Sequence, residues 1–295
     1  MHRPRFALPW FFLLASLPAS LPAASDYEVK FTRTATVGDK YVIEAKVSQD
    51  QKMSILVDGQ PNPPRAEVLQ LELTAHASVL ELTPGGRERK SRFTVDRASV
   101  VSGGTTKELL PKGTVLVAER GAGGTTFQVD DAPAAADVGR LLKMLINLES
   151  DEGINDDAVF GTKQRRKVGE TWPVNAEAMA ADMAEKAHLK LDPKNVTGAT
   201  KLAAIVQVDG RAAMQIATEF SIKDVAPNLP PGMVLDSSEF KATFGGVFPV
   251  DTAKRARNGK MTMAIRTSCS GTNNGRQVSL TMESTSTTER TFSAE

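Results

Sequence analysis

The chain has 295 residues, with 36 lysines and arginines against 35 aspartates and glutamates, so its formal net charge is +1. That balance provides no general attraction to nucleic acid or to an anionic membrane surface, and we expect no nucleic-acid partner. One cysteine excludes a disulfide scaffold and any zinc or iron–sulfur site built on cysteines.

Residues 1–25 have the pattern of a secretory signal peptide. Arg3 and Arg5 form a short basic region, residues 6–17 are mostly apolar, and residues 23–25 are small. Prolines interrupt the apolar run, which falls short of the ~20 apolar residues that a membrane-spanning helix needs. The sequence therefore predicts that this segment is cleaved, that the product has no transmembrane segment, and that the protein is exported, either periplasmic or secreted.

Alternation of apolar and polar residues with a period of two dominates residues 26–132 and 160–295 and predicts strands. Asp209-Gly210, Asn274-Gly275 and the glycine-rich residues 121–124 lie between such runs and favour hairpin turns. Hairpins join antiparallel strands, so the predicted sheets are antiparallel. The predicted strands are residues 41–47, 53–57, 69–77, 89–101, 114–119, 125–129, 202–208, 212–222, 240–250 with a break at Gly245-Gly246, 261–269 and 278–282.

Residues 133–159 interrupt the strand pattern. Residues 134–149 place apolar side chains at helical spacing after Pro133, and the acidic stretch Glu149–Asp157 follows them. A second, alanine-rich helix is predicted at residues 176–188. The predicted fold is α+β and mainly antiparallel β, with two β-rich halves and one or two helices between them or packed on the sheets.

A five-residue pattern occurs twice, once in each predicted half. Val37-Gly38-Asp39-Lys40-Tyr41 is matched by Val168-Gly169-Glu170-Thr171-Trp172. Such a pattern also arises by chance at strand starts, but it predicts an internal duplication in which Tyr41 and Trp172 are equivalent. The second copy resembles uncharacterised exported bacterial proteins in which a Val-Gly-acid-x-Trp segment opens a β-rich region. The resemblance rests on these few residues and implies a β-rich fold without an assigned chemistry.

The sequence assigns no catalytic, cofactor-binding or metal-ligating residue, and no cofactor is expected. His76 and His188 are the histidines that remain after signal cleavage, and no Gly-x-Ser-x-Gly nucleophile motif occurs. Both histidines are interpreted as structural or solvated. Cys269 shares the apolar phase of a predicted strand, which predicts a buried small side chain.

Charged clusters are interpreted as solvated surface. The acidic stretch Glu149–Asp157 differs in spacing from an EF-hand, so a loop is favoured, with a weak calcium site as the alternative. Basic clusters at residues 87–92, 163–167 and 254–260 have no interleaved aromatic residues. They are interpreted as solvated loops and strand faces, with binding of phosphates or lipid head groups as the alternative.

These observations predict an exported, soluble, non-catalytic binding or structural protein of the cell envelope or exterior. A more specific alternative is a carrier that holds a lipid or other apolar ligand in a groove on an open sheet covered by the helix at residues 134–149. A carboxylate-based hydrolase is a further alternative and requires a polar cleft. The corresponding partners are an apolar ligand or another component of the envelope.

We predict that the exported product begins between Ala24 and Tyr27, because the small residues there are what a signal peptidase accepts. N-terminal sequencing and intact mass of the exported protein measure this. A product that retains Met1 contradicts the prediction.

Overall fold

The structure, a computed structural model, describes residues 25–148, 151, 153–187, 189, 191–225, 229 and 232–295. The predicted signal peptide, apart from Ser25, lies outside the described residues, and so does His188.

Strands account for 61% of the structure, and the described residues contain three α-helices. The strands are β1 (Lys40–Val57), β2 (Gln60–Pro61), β3 (Arg65–Leu82), β4 (Glu88–Ser102), β5 (Thr105–Leu110), β6 (Val115–Gly121), β7 (Gly124–Val129), β8 (Ala132–Pro133), β9 (Thr171–Pro173), β10 (Val196–Val208), β11 (Arg211–Lys223), β12 (Met233–Pro249), β13 (Asn258–Asn273) and β14 (Arg276–Ala294). The helices are α1 (Ala136–Leu145), α2 (Asp156–Phe160) and α3 (Ala176–Ala187), and Pro193–Asn195 forms a 3-10 turn.

All of these strands belong to one antiparallel sheet in the order β8-β7-β6-β4-β3-β1-β14-β13-β12-β11-β10-β9, with β2 paired to β1 and β5 to β4. Strands β9 to β14 therefore form one meander, and β1 to β8 continue it. The junction is the pairing of β1 with β14, from Tyr41 opposite Ala294 to Val57 opposite Val278. The mainly antiparallel β prediction is confirmed. The described structure is almost all sheet and is therefore not clearly α+β, because most of its strands are joined by short hairpin connections.

Strand β1 joins two segments that the sequence analysis predicted as separate strands. The intervening residues 48–52 are polar, which weakened the alternation there. They contain no turn-forming glycine or proline, and both edges of their backbone are paired, as when Gln49 lies opposite Leu69 and Ser286. Pairing on both sides keeps this segment extended regardless of its polarity.

The predicted break at Gly245-Gly246 is wrong, since β12 continues through both glycines. A Cβ at Gly246 would lie 2.6 Å from Cε2 of Phe248. The glycine therefore serves close packing against an aromatic ring and does not interrupt the strand.

Both predicted helices are present. The first runs from Ala136 to Leu145 and ends there because Ile146 is extended. The second is α3. The acidic stretch was predicted as a loop, but part of it forms α2, which Asn155 caps by accepting a hydrogen bond from the Ala158 N–H at 2.9 Å.

Two hydrophobic cores lie on the sheet. The first is built from α1 with β1, β3, β4, β6 and β7, and the second from α2, α3 and β10 to β12. Residues 27–35, here called the N-terminal strap, connect them: Phe31 is buried in the second core, whereas Ala35 packs against the first.

The two copies of the repeated pattern form the same local turn. Gly38 donates its N–H to the Val79 carbonyl at 2.9 Å, and Gly169 donates to the Leu202 carbonyl at 2.8 Å. Both glycines have positive φ, 88° and 92°. Beyond the turn the halves differ, since β9 has three residues and leads into α3, whereas β1 has 18 residues and leads into β2. Internal duplication therefore stays a prediction.

The prediction for Cys269 is confirmed. This residue of β13 is 3% exposed, and it lies opposite Leu280 and Leu235 on neighbouring strands.

Replacing Leu142 by Ala should lower the free energy of unfolding by about 2–5 kcal/mol, because Leu142 of α1 is fully buried in the first core. Urea denaturation followed by circular dichroism measures the loss. The matched control is Leu56→Ala on the 43% exposed side chain of β1, which should cost less than about 1 kcal/mol. Equal losses for the two variants contradict the assignment of the core.

Candidate functional site

A cavity of about 430 Å³ lies where the two cores meet, between the N-terminal strap, the end of α1 and the sheet. Its walls combine apolar and charged side chains. The apolar lining residues are Phe31, Ala35, Tyr41, Ile43, Phe93, Leu145, Ile146, Leu148, Phe244, Phe248, Ala256, Met261 and Phe292. The polar lining residues are Arg33, Thr34, Arg87, Glu88, Asn147, Asp156, Arg255, Asn258, Thr288 and Arg290.

Aromatic rings form much of the apolar wall. The ring of Phe31 on the strap lies 5.3 Å from that of Phe248 and 6.1 Å from that of Phe244, both on β12. On the opposite side, the rings of Tyr41 and Phe292 meet edge to face at 5.9 Å. Tilted and edge-to-face contacts at these distances are favourable and hold the rings in fixed orientations.

Glu88 is the centre of a buried polar cluster on the cavity wall. Its Oε2 accepts hydrogen bonds from the Tyr41 hydroxyl at 2.9 Å and from the Ser91 hydroxyl at 2.7 Å, and its side chain is only 10% exposed. Arg255 forms an ion pair with Glu88 and lies over the Tyr41 ring, with Cζ 3.9 Å from the ring centroid. The cluster therefore connects the loop between β12 and β13 to the first core.

Burial raises the pKa of the Tyr41 phenol well above its ordinary value, and the negative charge of Glu88 raises it further. Tyr41 therefore remains a neutral hydrogen-bond donor to Glu88.

Arg290 of β14 holds the end of α1 against the sheet. Its Nε donates to the Leu145 carbonyl at 3.1 Å and its Nη2 to the Met144 carbonyl at 3.3 Å. A cation at the C-terminal end of a helix satisfies carbonyls that have no partner within the helix and interacts favourably with the helix dipole. This contact fixes the wall that Leu145 and the following residues contribute.

The histidine that the structure describes lies away from the cavity. His76 is opposite Val42 of β1 and so occupies the face of the sheet that does not carry Tyr41. Its Nε2 is 3.0 Å from Asp96, its Nδ1 is 3.0 Å from Glu295, and its side chain is 44% exposed. No nucleophile is hydrogen-bonded to it among the described contacts.

Two carboxylates of the predicted acidic loop bind different parts of the chain. Asp151 accepts hydrogen bonds from the Gly85 N–H at 2.6 Å and the Thr83 hydroxyl at 2.8 Å, which lower its pKa. Asp157 accepts from the N–H groups of Phe31 and Thr32. Within the described part of the chain, no three His, Cys, Asp or Glu side chains converge on a metal-sized site.

The basic clusters divide between surface and cavity. Lys90 pairs with Glu119 at 3.0 Å on the surface, as the sequence analysis expected of a strand face. Arg87 and Arg255 were also interpreted as solvated, but both line the cavity, and their side chains are 11% and 29% exposed. They are covered because the strap and the end of α1 pack over this part of the sheet.

The face of the sheet that forms the cavity floor continues toward the hairpin ends. The β1–β14 register has no irregularity, so residues spaced by two remain on that face. Six half-buried apolar side chains there belong to neither core. This open apolar face consists of Met53, Ile55 and Val57 of β1, opposite Met282, Leu280 and Val278 of β14.

Neither a protein-family profile nor a curated protein matches the chain. Among solved structures, it is similar to one titled "lipid-protein interactions in lipovitellin", with a TM-score of 0.39 and 6% identity over 88% of this chain and 25% of that chain. It thus spans about a quarter of the length of that protein.

The chain is also similar to an outer membrane channel from Pseudomonas putida F1, with a TM-score of 0.20 and 11% identity over 90% and 100% of the two chains. The outer membrane protein OprG from Pseudomonas aeruginosa gives a TM-score of 0.18 and 8% identity, with the same coverage. Scores this low assign neither a family nor a function.

In the part of the chain that the structure describes, no helix has the length and apolar character needed to cross a bilayer.

The sequence did not predict that Glu88 and Arg255 line one cavity. Glu88 is on β4 and Arg255 is on the loop after β12, and four strands lie between β4 and β12 in the order of the sheet, so these residues meet across the sheet and not along a pair of neighbouring strands. No local motif joins them. The two basic clusters that contain Arg87 and Arg255 were a partial indication of this site in the sequence.

The contribution of Tyr41 to the free energy of unfolding should be constant below about pH 10 and should decline above it. An unfolded tyrosine ionises near pH 10, whereas the pKa of folded Tyr41 is raised, so high pH favours the unfolded state. The loss should approach about 1.4 kcal/mol per pH unit. Urea denaturation of wild type and Tyr41→Phe at pH 8.5 and pH 11 measures it, because their difference cancels ionisation of the other groups. A difference that does not change with pH contradicts the prediction.

Proposed function

We propose that this protein is a carrier that binds a lipid or other apolar small molecule in the cavity between its two cores. The supporting observation is the cavity itself: about 430 Å³, walled by aromatic and aliphatic side chains with a few polar groups. Small-molecule sites in proteins have volumes of about 300–1,000 Å³ and this same mixture of apolar walls and placed polar groups.

The cavity differs from a filled protein core in two respects. Native cores leave few voids larger than a water molecule. They also rarely contain a charged group without a partner, yet Arg33 lines this space and its Nε and Nη2 have no hydrogen-bond partner among the described residues. A space of this size, in which Arg33 lies over the Phe248 ring and Arg255 over the Phe292 ring, suits a ligand more than it suits packing.

The carboxylate-hydrolase alternative has less support. It needs a carboxyl group available for proton transfer or nucleophilic attack. Glu88, one of the two carboxylates among the described lining residues, is already bonded to Tyr41, Ser91 and Arg255.

We place this carrier outside the cytoplasm, in the cell envelope or the exterior, on the basis of the signal-peptide pattern in residues 1–25. An exported carrier of an apolar molecule also accounts for the absence of an assigned catalytic set in the sequence.

The test is a fluorescence titration with the neutral apolar probe 1-N-phenylnaphthylamine. Wild type should bind it saturably at one site. Ala256→Trp should weaken binding at least tenfold, about 1.4 kcal/mol, because the indole fills space that Ala256 lines.

The matched control is Ala253→Trp, on an exposed residue of the same loop that does not line the cavity. It should bind the probe as wild type does. The proposal fails if wild type shows no saturable binding, or if a folded Ala256→Trp variant binds with unchanged affinity.

A further inference from the structure

Arg33 presents hydrogen-bond donors that no described residue satisfies. Arg33 lies on the N-terminal strap and lines the cavity. Its Nη1 donates to the Asp251 carbonyl at 3.1 Å, and its guanidinium lies 5.6 Å from the centre of the Phe248 ring. Its Nε and Nη2 are buried and have no hydrogen-bond partner among the described residues.

Three carboxylates act on the charge of Arg33, those of Asp157, Asp251 and Glu28, and the first two already accept hydrogen bonds from backbone N–H groups. Asp157 accepts from the N–H groups of Phe31 and Thr32 at 2.6 and 3.1 Å. Asp251 accepts from the Ala253 N–H at 3.0 Å through its Oδ1. These charges stabilise the Arg33 cation, but burial dominates and lowers its pKa.

A buried donor without an acceptor costs about 1–3 kcal/mol, and more when the donor is charged, so native proteins rarely retain one without a reason. Nε and Nη2 lie on the same edge of the guanidinium group. That edge matches two oxygens of one carboxylate or phosphate and binds them through two parallel hydrogen bonds. The unsatisfied edge of Arg33 therefore has the chemistry of a receptor for an oxyanion.

The rest of the cavity agrees with an anionic ligand. Among the described lining residues there are four guanidinium groups, on Arg33, Arg87, Arg255 and Arg290, and two carboxylates, on Glu88 and Asp156. Arg255 is paired with Glu88 and Arg87 with Asp151, so the agreement rests on Arg33. The phenylalanine rings and aliphatic side chains beside them provide an apolar compartment.

We propose that the ligand is an anionic amphiphile, with a carboxylate or phosphate head bound by Nε and Nη2 of Arg33 and an apolar tail against the phenylalanine wall. This inference rests on the proposed function and adds the chemical class of the ligand.

The first experiment compares cis-parinaric acid with its methyl ester in fluorescence titrations of wild type. The two probes have the same tail, and only the acid carries the anion. Wild type should bind the acid at least tenfold more tightly than the ester. Displacement of the acid by hexadecanoic acid and by hexadecyl phosphate then distinguishes a carboxylate head from a phosphate head.

The second experiment repeats the comparison with Arg33→Gln, whose fold is checked by circular dichroism and its melting temperature. This variant should bind acid and ester with similar affinity. Arg33→Lys keeps the charge but lacks the paired donors, so it should retain only part of the preference. The matched control is Arg97→Gln on the surface of β4, where the arginine side chain is 60% exposed, and it should keep the full preference.

Each outcome separates this inference from the proposed function. If wild type binds acid and ester equally, the anionic class is wrong and the carrier function stands. If folded Arg33→Gln keeps the wild-type preference, the assignment to Arg33 is wrong. If wild type binds neither these probes nor 1-N-phenylnaphthylamine, both proposals fail. The comparison in wild type decides the ligand class even if an Arg33 variant does not fold.

Discussion

The structure depends on the pairing of β1 with β14. This register joins residues near the two ends of the described chain, from Tyr41 opposite Ala294 to Val57 opposite Val278, without an irregularity. It places the strands that carry the first core beside those that carry the second, so both cores lie on one sheet with a space between them. Pairing between such distant segments closes a very long loop, and folding must offset that entropic cost through the many contacts along both strands.

The space between the cores is kept in shape by a few polar contacts. The ion pair of Arg255 with Glu88 holds the loop between β12 and β13 against the first half, and Arg290 holds the end of α1 against β14. A buried ion pair adds little net stability once the desolvation of both charges is counted, but breaking it leaves one charge buried and unpaired. The ion pair instead positions the loop: Tyr41 and Ser91 hold Glu88 in place by hydrogen bonds, and Glu88 in turn fixes where Arg255 and its loop lie beside the cavity.

The open apolar face lies on the same side of the sheet as the cavity floor. Met53, Ile55 and Val57 are on the same side of β1 as Tyr41 and Ile43, but they belong to neither core. The polar stretch around Gln49 separates this face from the cavity. Methionine pairs such as Met53 opposite Met282 adapt readily to different contacts.

Local patterns in the sequence determined most of the long strands, where hairpins such as Asp209-Gly210 turn, where α1 and α3 form, and that Cys269 is buried, whereas β5 and β9 were not predicted. These features depend on residue periodicity and turn chemistry within a few positions. The sequence also suggested two halves through a repeated five-residue turn. Only the tertiary structure decided that β1 is one continuous strand, that one sheet carries both cores, and that Arg33, Glu88 and Arg255 share a cavity. Those outcomes arise from pairing and packing between distant segments, which no short stretch of sequence encodes by itself.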